Sequence, residues 1–310
     1  MERRFRRRLA LVAAAALVVP VAGCTPGRNA PTESVTLAVS SLHNPFFRQM
    51  RAGAEAAADA ADVRLEVVAA NDRAARQTRQ LDRAIEEGSE AVLVNPVNPE
   101  AAASAVRPAV RADIPVVAVD REVEGAPVES TVASDNVDGG QQVGHAIAYS
   151  IDGPVQVIHI QGDPQVSVSD DRGEGFEEAV EQYDEIDIAT AQPAYFERAE
   201  ARRVTAALLK AYPDANAVFA ESDRMALGAI DALGDRAGDE VKVFGFDGSP
   251  AALAAVQKGT MEGTVAQRPQ QLGQVAVEQA VAAIDGGPVA PRVPVGVELV
   301  TLDNVEQYVR

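Results

Sequence analysis

Cysteine, tryptophan, lysine and histidine are the scarcest residues in this 310-residue chain. A single cysteine excludes a disulfide bond within the chain, and there is no tryptophan to stack against a ligand. Aromatic residues make up only 4% of the sequence, so a local cluster of phenylalanines is more informative than usual. Hydrophobic residues still make up 47%, which predicts globular structure. The length is enough for two domains.

Positive charge is also in short supply, with 28 basic against 46 acidic residues and a formal net charge of −18. Residues 1–23 contain five arginines and one glutamate, so the rest of the chain has 23 basic and 45 acidic residues, or −22. A surface this acidic repels phosphate backbones and anionic lipid headgroups. We therefore expect no nucleic-acid partner.

The N-terminal region has the charge pattern of a secretory signal. Arginine-rich residues 3–8 precede Leu9–Val21, an uncharged stretch shorter than the roughly 20 residues that span a bilayer. It ends in Val21-Ala22-Gly23-Cys24, which resembles a lipobox, and Cys24 is the only cysteine. The alternative is an ordinary signal peptide that ends near a cysteine by chance. We predict a signal peptide over 1–23, lipidation at Cys24, a lipid-anchored tether over 24–33 and an extracytoplasmic location at the cell membrane.

From residue 35 onward, short β-rich runs alternate with alanine-rich stretches of helical composition. Nearly continuous apolar strands between helices predict parallel sheets covered on both faces, and hence an α/β fold. A further strand and helix are predicted over residues 263–286. The other predicted helices are Phe46–Ala61, Ala74–Glu87, Glu100–Ala112, Gly173–Tyr183, Glu197–Ala211, Arg224–Leu233 and Ala251–Lys258. The predicted strands are Val35–Ser40, Arg64–Ala70, Ala91–Asn95, Pro115–Asp120, Val155–Ile160, Ile186–Ala191, Ala217–Ala220 and Val241–Asp247.

A weak internal repeat relates the two halves. Gly53-Ala54-Glu55-Ala56-Ala57 in the first half resembles Gly175-Phe176-Glu177-Glu178-Ala179 in the second. Asn95 precedes Asp120 by 25 residues, and Ser222 precedes Asp247 by the same interval. Two similar domains that face each other would bring both carboxylates to one cleft.

The carboxyl ends of the predicted strands, where parallel α/β sheets bind ligands, mix planar polar groups with phenylalanine. Asp and Arg can bind adjacent sugar hydroxyls bidentately, and aromatic rings stack on the apolar faces of a sugar ring. Each residue also has a plain interpretation, since Asp commonly caps helices and Phe commonly fills cores. Their joint placement in both halves favours sugar binding. The candidate residues are Ser40, Asn44, Phe46, Phe47, Asn95, Asp120, Arg121, Arg172, Phe196, Ser222, Asp247 and Gln267.

The motifs along the chain resemble the ribose-binding branch of the type I periplasmic binding proteins. The resemblance covers residues 35–301 and keeps the family's motif order. It depends on Ser40-Ser41-Leu42-His43-Asn44-Pro45-Phe46-Phe47, Val119-Asp120-Arg121, Ala133-Ser134-Asp135-Asn136, Arg172-Gly173-Glu174-Gly175-Phe176 and Val243-Phe244-Gly245-Phe246-Asp247-Gly248.

The resemblance implies two Rossmann-like lobes joined by three hinge crossings, near Ser134, Gln267 and Pro294. The lobes would comprise 34–134 plus 268–294 and 135–267 plus 295–310. It implies polar sugar contacts from the candidate set above, with Phe46, Phe47 and Phe196 around the ring. It further implies a monomer that delivers a monosaccharide, ribose or a ribose-like pentose, to the permease and ATPase of an ABC importer. Ser222 stands where the family usually has Asn, which bears on the choice of sugar, and His43 is given no role.

Catalysis finds little support in the sequence. The three histidines show no metal-ligand spacing, and neither a nucleophile elbow nor a Walker loop is present. Asp120 and Asp247 could be imagined as a glycosidase pair, but we expect buried arginines to keep both ionised. We therefore predict no enzyme, no metal and no cofactor. A cytoplasmic repressor is excluded because a signal and tether stand where its DNA-binding helices would be. Presentation of a sugar-like signal molecule to a membrane receptor stays open.

Overall fold

The computed structural model describes residues 33–309, which form twelve strands and nine α-helices. The predicted signal peptide, Cys24 and the tether up to residue 32 lie outside the described residues. The strands are β1 (Ser34–Val39), β2 (Arg64–Ala69), β3 (Ala91–Val94), β4 (Val116–Val119), β5 (Ser130–Ser134), β6 (Val155–Gln161), β7 (Ile186–Pro193), β8 (Ala217–Ala220), β9 (Lys242–Asp247), β10 (Gly263–Ala266), β11 (Arg292–Val295) and β12 (Glu298–Thr301).

Helices follow most strands, as the alternating pattern predicts. Among the described residues, no helix is long and apolar enough to cross a membrane. The helices are α1 (Pro45–Ala61), α2 (Ala74–Glu86), α3 (Pro99–Arg111), α4 (Asn136–Ser150), α5 (Ser167–Val180), α6 (Arg198–Ala211), α7 (Asp223–Leu233), α8 (Pro250–Gln257) and α9 (Pro269–Ile284).

The strands form two six-stranded sheets, one in each lobe. The first has the order β11-β5-β4-β3-β1-β2 and is parallel throughout. The second has the order β12-β10-β9-β8-β6-β7, in which only β12 is antiparallel to its neighbour. Strands such as β3 and β4 are buried along their whole length because helices cover both faces. The predicted α/β fold with two Rossmann-like lobes is confirmed.

The chain passes between the lobes at three connections: β5 to α4, β10 to α9, and β11 to β12. A side-chain hydrogen bond joins the first two crossings, where Ser134 Oγ donates to Gln267 Oε1 over 2.7 Å. The carboxyl ends of both sheets therefore meet next to the hinge.

The repeated glycine motif has a packing reason. A Cβ atom on Gly53 of α1 would lie 1.9 Å from the carbonyl oxygen of Gln270 on α9. A Cβ on Gly175 of α5 would lie 2.0 Å from the carbonyl oxygen of Val137 on α4. Since only glycine permits such a close backbone approach, each lobe uses one glycine of the repeat to pack a pair of helices.

Helix α5 begins at Ser167, six residues before the predicted start at Gly173. Its first five residues include two serines and two aspartates, which favour turns and caps over helix interiors. The composition of Ser167-Val168-Ser169-Asp170-Asp171 therefore does not predict a helix. The earlier start places Arg172 within the helix rather than at its beginning.

Candidate functional site

A cavity of about 360 Å³ lies between the lobes at the carboxyl ends of both sheets. Groups from both lobes line it, so it is a cleft shared by the lobes. Nine of the twelve sequence-predicted residues contribute to its wall. These are Asn44, Phe46, Phe47, Asp120, Arg121, Arg172, Phe196, Asp247 and Gln267.

Ser40 and Asn95 do not line the cavity but lie behind Asp120 in the first lobe. Asn95 is fully buried, and its Oδ1 accepts a hydrogen bond of 2.7 Å from Ser40 Oγ. Its Nδ2 donates to the carbonyl oxygen of Val119 over 3.1 Å and to Asp120 Oδ2 over 3.2 Å. The pair therefore orients the carboxylate of Asp120, which has a φ of 69°.

Arg121 completes the polar wall of the first lobe. Its Nη1 donates to the carbonyl oxygen of Pro96 over 3.0 Å, and its Nε lies 3.7 Å from Asp120 Oδ2. The guanidinium lies 5.7 Å from the ring centre of Phe47, whose ring meets that of Phe46 edge to face at 5.3 Å. Within the described part of the chain, the buried Nε of Arg121 makes no hydrogen bond.

Arg172 is the central cation of the second lobe and is only 3% exposed. It lies 3.8 Å from the ring centre of Phe246. Its Nε donates to Asn136 Oδ1 over 2.9 Å, and its Nη1 donates to the carbonyl oxygen of Glu221 over 2.6 Å. Its Nη1 also lies 4.0 Å from Asp247 Oδ1. Burial lowers the pKa of Arg172, and the neighbouring carboxylates oppose that effect.

Asp247 connects Arg172 to the hinge. Its Oδ1 accepts a hydrogen bond of 2.7 Å from Gln267 Nε2, and Gln267 Oε1 accepts from Ser134. Its φ of 129° lies in a region that residues with a side chain rarely adopt. Such backbone strain is concentrated at functional sites, and in this structure it holds the carboxylate against the cavity.

Burial raises the pKa of both candidate carboxylates, and the neighbouring arginines oppose this effect without cancelling it. Asp120 is raised by desolvation, which outweighs the attraction of Arg121 and Arg172. The pKa of Asp247 is raised to about 6 by desolvation, against the opposing effects of Arg172 and Gln267. At pH 7, about one pH unit above this pKa, Asp247 is therefore mainly ionised.

Ser222 does not line the cavity either. It is 3% exposed, and its Oγ caps α7 by accepting a hydrogen bond of 3.4 Å from the backbone N–H of Met225. Its sequence neighbours act on the site instead: the carbonyl oxygen of Glu221 accepts from Arg172, and Asp223 is close enough to Asp247 for its pKa to be raised by that carboxylate.

Phe196 occupies its position because Gly162 leaves room for it. A Cβ on Gly162 would lie 2.1 Å from Cζ of the ring, and Phe196 itself has a φ of 59°. Gly162 is held by the buried side chain of Glu221, whose Oε2 accepts from the Gly162 N–H over 2.7 Å. Glu221 also accepts from Ser169 Oγ, and its Oε1 lies 2.8 Å from His159 Nε2.

Sequence reasoning missed other residues of the cavity wall. Asp72 follows β2 and Asp163 follows β6, so the strand-end rule could have found both. Val166 and Val168 carry no such signal, and His43 lines the cavity although it was given no role. The missed residues are Ser41, His43, Asp72, Val97, Asp163, Val166, Val168, Tyr195, Glu197 and Arg224. Across residues 33–309, no cluster of three or more His, Cys, Asp or Glu could hold a metal ion.

Two lobes with a shared cleft, lined by Asp–Arg pairs and phenylalanines, define a solute-binding protein. The profile of the periplasmic binding protein domain matches residues 35–288, and the chain belongs to the type I periplasmic binding protein family. Members of this family are periplasmic or otherwise extracytoplasmic.

Similar proteins bind ribose and other sugars. The ribose import binding protein RbsB of Escherichia coli is 38% identical over 86% of this chain and 90% of its own length. The structure of a solute-binding protein from Actinobacillus succinogenes with bound D-allose has a TM-score of 0.82 and 29% identity, and covers 89% of this chain and 100% of that one. A Bacillus halodurans solute-binding protein with bound myo-inositol has a TM-score of 0.82 and 27% identity, and covers 91% of this chain and 99% of that one. Such proteins are solute-binding components of ABC importers.

Proposed function

We propose that the protein captures ribose or a ribose-like pentose in its cyclic form and delivers it to the permease and ATPase of an ABC importer. The observation that carries this proposal is the pairing of charged residues on opposite walls of the cavity. Asp120 with Arg121 lines the first-lobe wall, and Asp247 with Arg172 lines the second-lobe wall. Each pair offers donors and acceptors that match neighbouring hydroxyls on a sugar ring.

The size of the cavity suits a monosaccharide. Its volume of about 360 Å³ corresponds to roughly twelve water molecules at about 30 Å³ each. A pentose of about ten non-hydrogen atoms has roughly the volume of five water molecules, so it fits the cavity and leaves room for water that bridges it to the wall. Phe46, Phe47 and Phe196 line the same cavity and would cover the apolar faces of the ring. The protein acts in this proposal as a monomeric, non-catalytic receptor that needs no cofactor.

Individual residues have distinct roles in this proposal. Asn44, Asp120 and Arg121 bind hydroxyls from the first lobe, and Arg172, Asp247 and Gln267 bind them from the second. Ser40 and Asn95 act indirectly by orienting Asp120, and Ser222 acts by capping α7.

Titration calorimetry with ribose, allose, xylose and arabinose tests the proposal. We expect at least one sugar to bind with a dissociation constant in the micromolar range or below, that is, with a free energy of about −8 kcal/mol or better. Absence of heat with all four sugars would overturn the assignment.

We also propose that Cys24 carries the lipid that holds the protein at the membrane. The support is the sequence Val21-Ala22-Gly23-Cys24 after an apolar stretch. Fractionation of cells that express the wild type and Cys24→Ser checks this. The wild type should sediment with membranes and the variant should be released. A wild type that is already soluble in the medium contradicts the anchor.

A further inference from the structure

An ion-paired network joins the two lobes outside the cavity. Arg292 is the first residue of β11 in the first lobe, and its guanidinium donates to Glu122, also in the first lobe. The same guanidinium donates to Asp171 Oδ2 over 3.3 Å. Asp171 lies on α5 of the second lobe. The backbone N–H of Glu122 donates to Ser167 Oγ, at the start of α5, over 3.3 Å. Two polar contacts therefore cross between the lobes.

The network is attached directly to the proposed sugar-binding residues. Glu122 follows Arg121 in the chain, and Asp171 precedes Arg172. The contacts can form only when the end of β4 approaches α5. The same approach brings Arg121 and Arg172 to opposite walls of one cavity. The network therefore forms only when the lobes approach each other, and none of its residues lines the cavity.

The positive charge of Arg292 determines whether the network attracts or repels the two lobes. Glu122 and Asp171 are both acidic, so without the arginine they would face each other across the lobe boundary as like charges. Burial raises the pKa of Asp171, Glu122 raises it further, and Arg292 opposes both effects. The guanidinium thus replaces repulsion between the lobes with attraction. The side chain of Arg292 is 53% exposed, so the attraction is modest and is screened by salt.

We propose that Arg292 is a positioning residue for ligand capture, which tightens binding by holding the lobes closed and makes no contact with the ligand. This inference rests on the proposed function of sugar binding in the cleft. The closure free energy contributes equally to every ligand bound in the closed cleft. Loss of Arg292 therefore weakens all sugars by one common factor and leaves their ranking unchanged.

Calorimetry of Arg292→Met in low salt is the first test. We expect the dissociation constant of each bound sugar to rise about twofold to fivefold, as for loss of a modest, partly exposed ion pair. Arg292→Lys should recover part of the loss, since it restores the charge without the two-pronged geometry. At high salt the wild type should weaken toward the variant, although the sugar itself is neutral.

Arg198→Met is the matched control. It removes the same charge from an ion pair with Asp231 that lies on α6 and α7, entirely within the second lobe. Its sugar affinity should stay at the wild-type value. Equal affinities of Arg292→Met and Arg198→Met would overturn the inference. A change in the ranking of sugars would also overturn it, because Arg292 would then distinguish one ligand from another.

Solution X-ray scattering separates this inference from the proposed function. If the wild type binds no sugar, the sugar assignment fails, yet the lobes can still be compared without ligand. Arg292→Met should then have a larger radius of gyration than the wild type, because a smaller fraction of its molecules is closed. Equal radii would refute the role of Arg292 in closure.

Discussion

The protonation of Asp223 should control stability near neutral pH. Asp223 is the first residue of α7 and is fully buried. Its carboxylate accepts hydrogen bonds of 2.6 Å from the Ser249 N–H and from Thr264 Oγ1. Burial, reinforced by the nearby carboxylate of Asp247, raises its pKa from the ordinary 3.8 to about 8. At pH 7 the side chain is therefore protonated in the folded protein and ionised in the unfolded chain.

The sign of the pH effect follows from proton binding. Between the unfolded pKa of 3.8 and the folded pKa of about 8, the folded state holds one proton more. The free energy of unfolding therefore falls as pH rises, by about 1.4 kcal/mol per pH unit. The pKa of Asp247 is also raised, but only to about 6, so its contribution ends at lower pH. From about pH 6.5 to about pH 7.5, Asp223 alone should lower the free energy of unfolding by about 1.2 kcal/mol, since the group begins to ionise near the upper limit.

Asp223→Asn should remove the loss of unfolding free energy that Asp223 causes as the pH rises. The amide is neutral at every pH and can keep both partners, accepting from Ser249 N–H and donating to Thr264 Oγ1. Urea unfolding followed by circular dichroism at both ends of the window measures the difference. Asp231→Asn on the same helix is the control, because its pKa is lowered by the hydrogen bonds from Arg198. It should keep the wild-type slope. The reasoning is refuted if wild type and Asp223→Asn lose the same free energy across the window.

Three further substitutions probe the site directly. Arg172→Met should weaken sugar binding by about 2–4 kcal/mol, since it removes charge-assisted hydrogen bonds from a buried site. A loss of binding free energy below a tenth of that, measured by calorimetry, would place Arg172 outside the site. Gly162→Ala should push Phe196 out of position and weaken binding by about tenfold or more, whereas Gly296→Ala, where a Cβ meets no atom within 4 Å, should bind as the wild type does. Ser222→Asn should leave the free energy of unfolding within about 0.5 kcal/mol, because both residues cap helices. It should also leave the ranking of sugars unchanged, because Ser222 does not line the cavity. A shift toward ribose across the calorimetric sugar panel would contradict this and would show that residue 222 distinguishes between sugars.

The alternation of apolar strands and helices could be predicted because each buried strand is one uninterrupted run, such as Val116–Val119. Three strands were not predicted. Strand β5 reads Ser-Thr-Val-Ala-Ser and hides polar side chains in the sheet. Strands β11 and β12 are four-residue pieces with exposed positions at the sheet edges. Their pairing depends on tertiary contacts with β5 and β10, which no local pattern encodes.

The site could be predicted as far as strand ends identify it. That rule finds Asp120 and Asp247 because it needs only the order of strands and their final residues. It does not distinguish a side chain that lines the cavity from one directly behind it, so Asn95 was placed with the ligand contacts. It also gives no measure of desolvation. The raised pKa of Asp120 arises from its surroundings in three dimensions, which outweigh the arginine next to it in sequence.

The charges around the cavity restrict the ligand further. Three arginines line it, against five acidic residues, so the wall carries an excess of two negative charges. A sugar phosphate or sugar acid would meet this excess on top of the acidic surface of the whole chain. A neutral sugar meets no such penalty because it carries no charge. The charges of Asp120 and Arg121, and those of Asp247 and Arg172, are balanced within each lobe. We therefore expect no heat from ribose 5-phosphate under conditions in which a neutral pentose binds. Comparable affinity for both would mean that the acidic groups at the wall do not act on the ligand. The lining charges are Arg121, Arg172 and Arg224 against Asp72, Asp120, Asp163, Glu197 and Asp247.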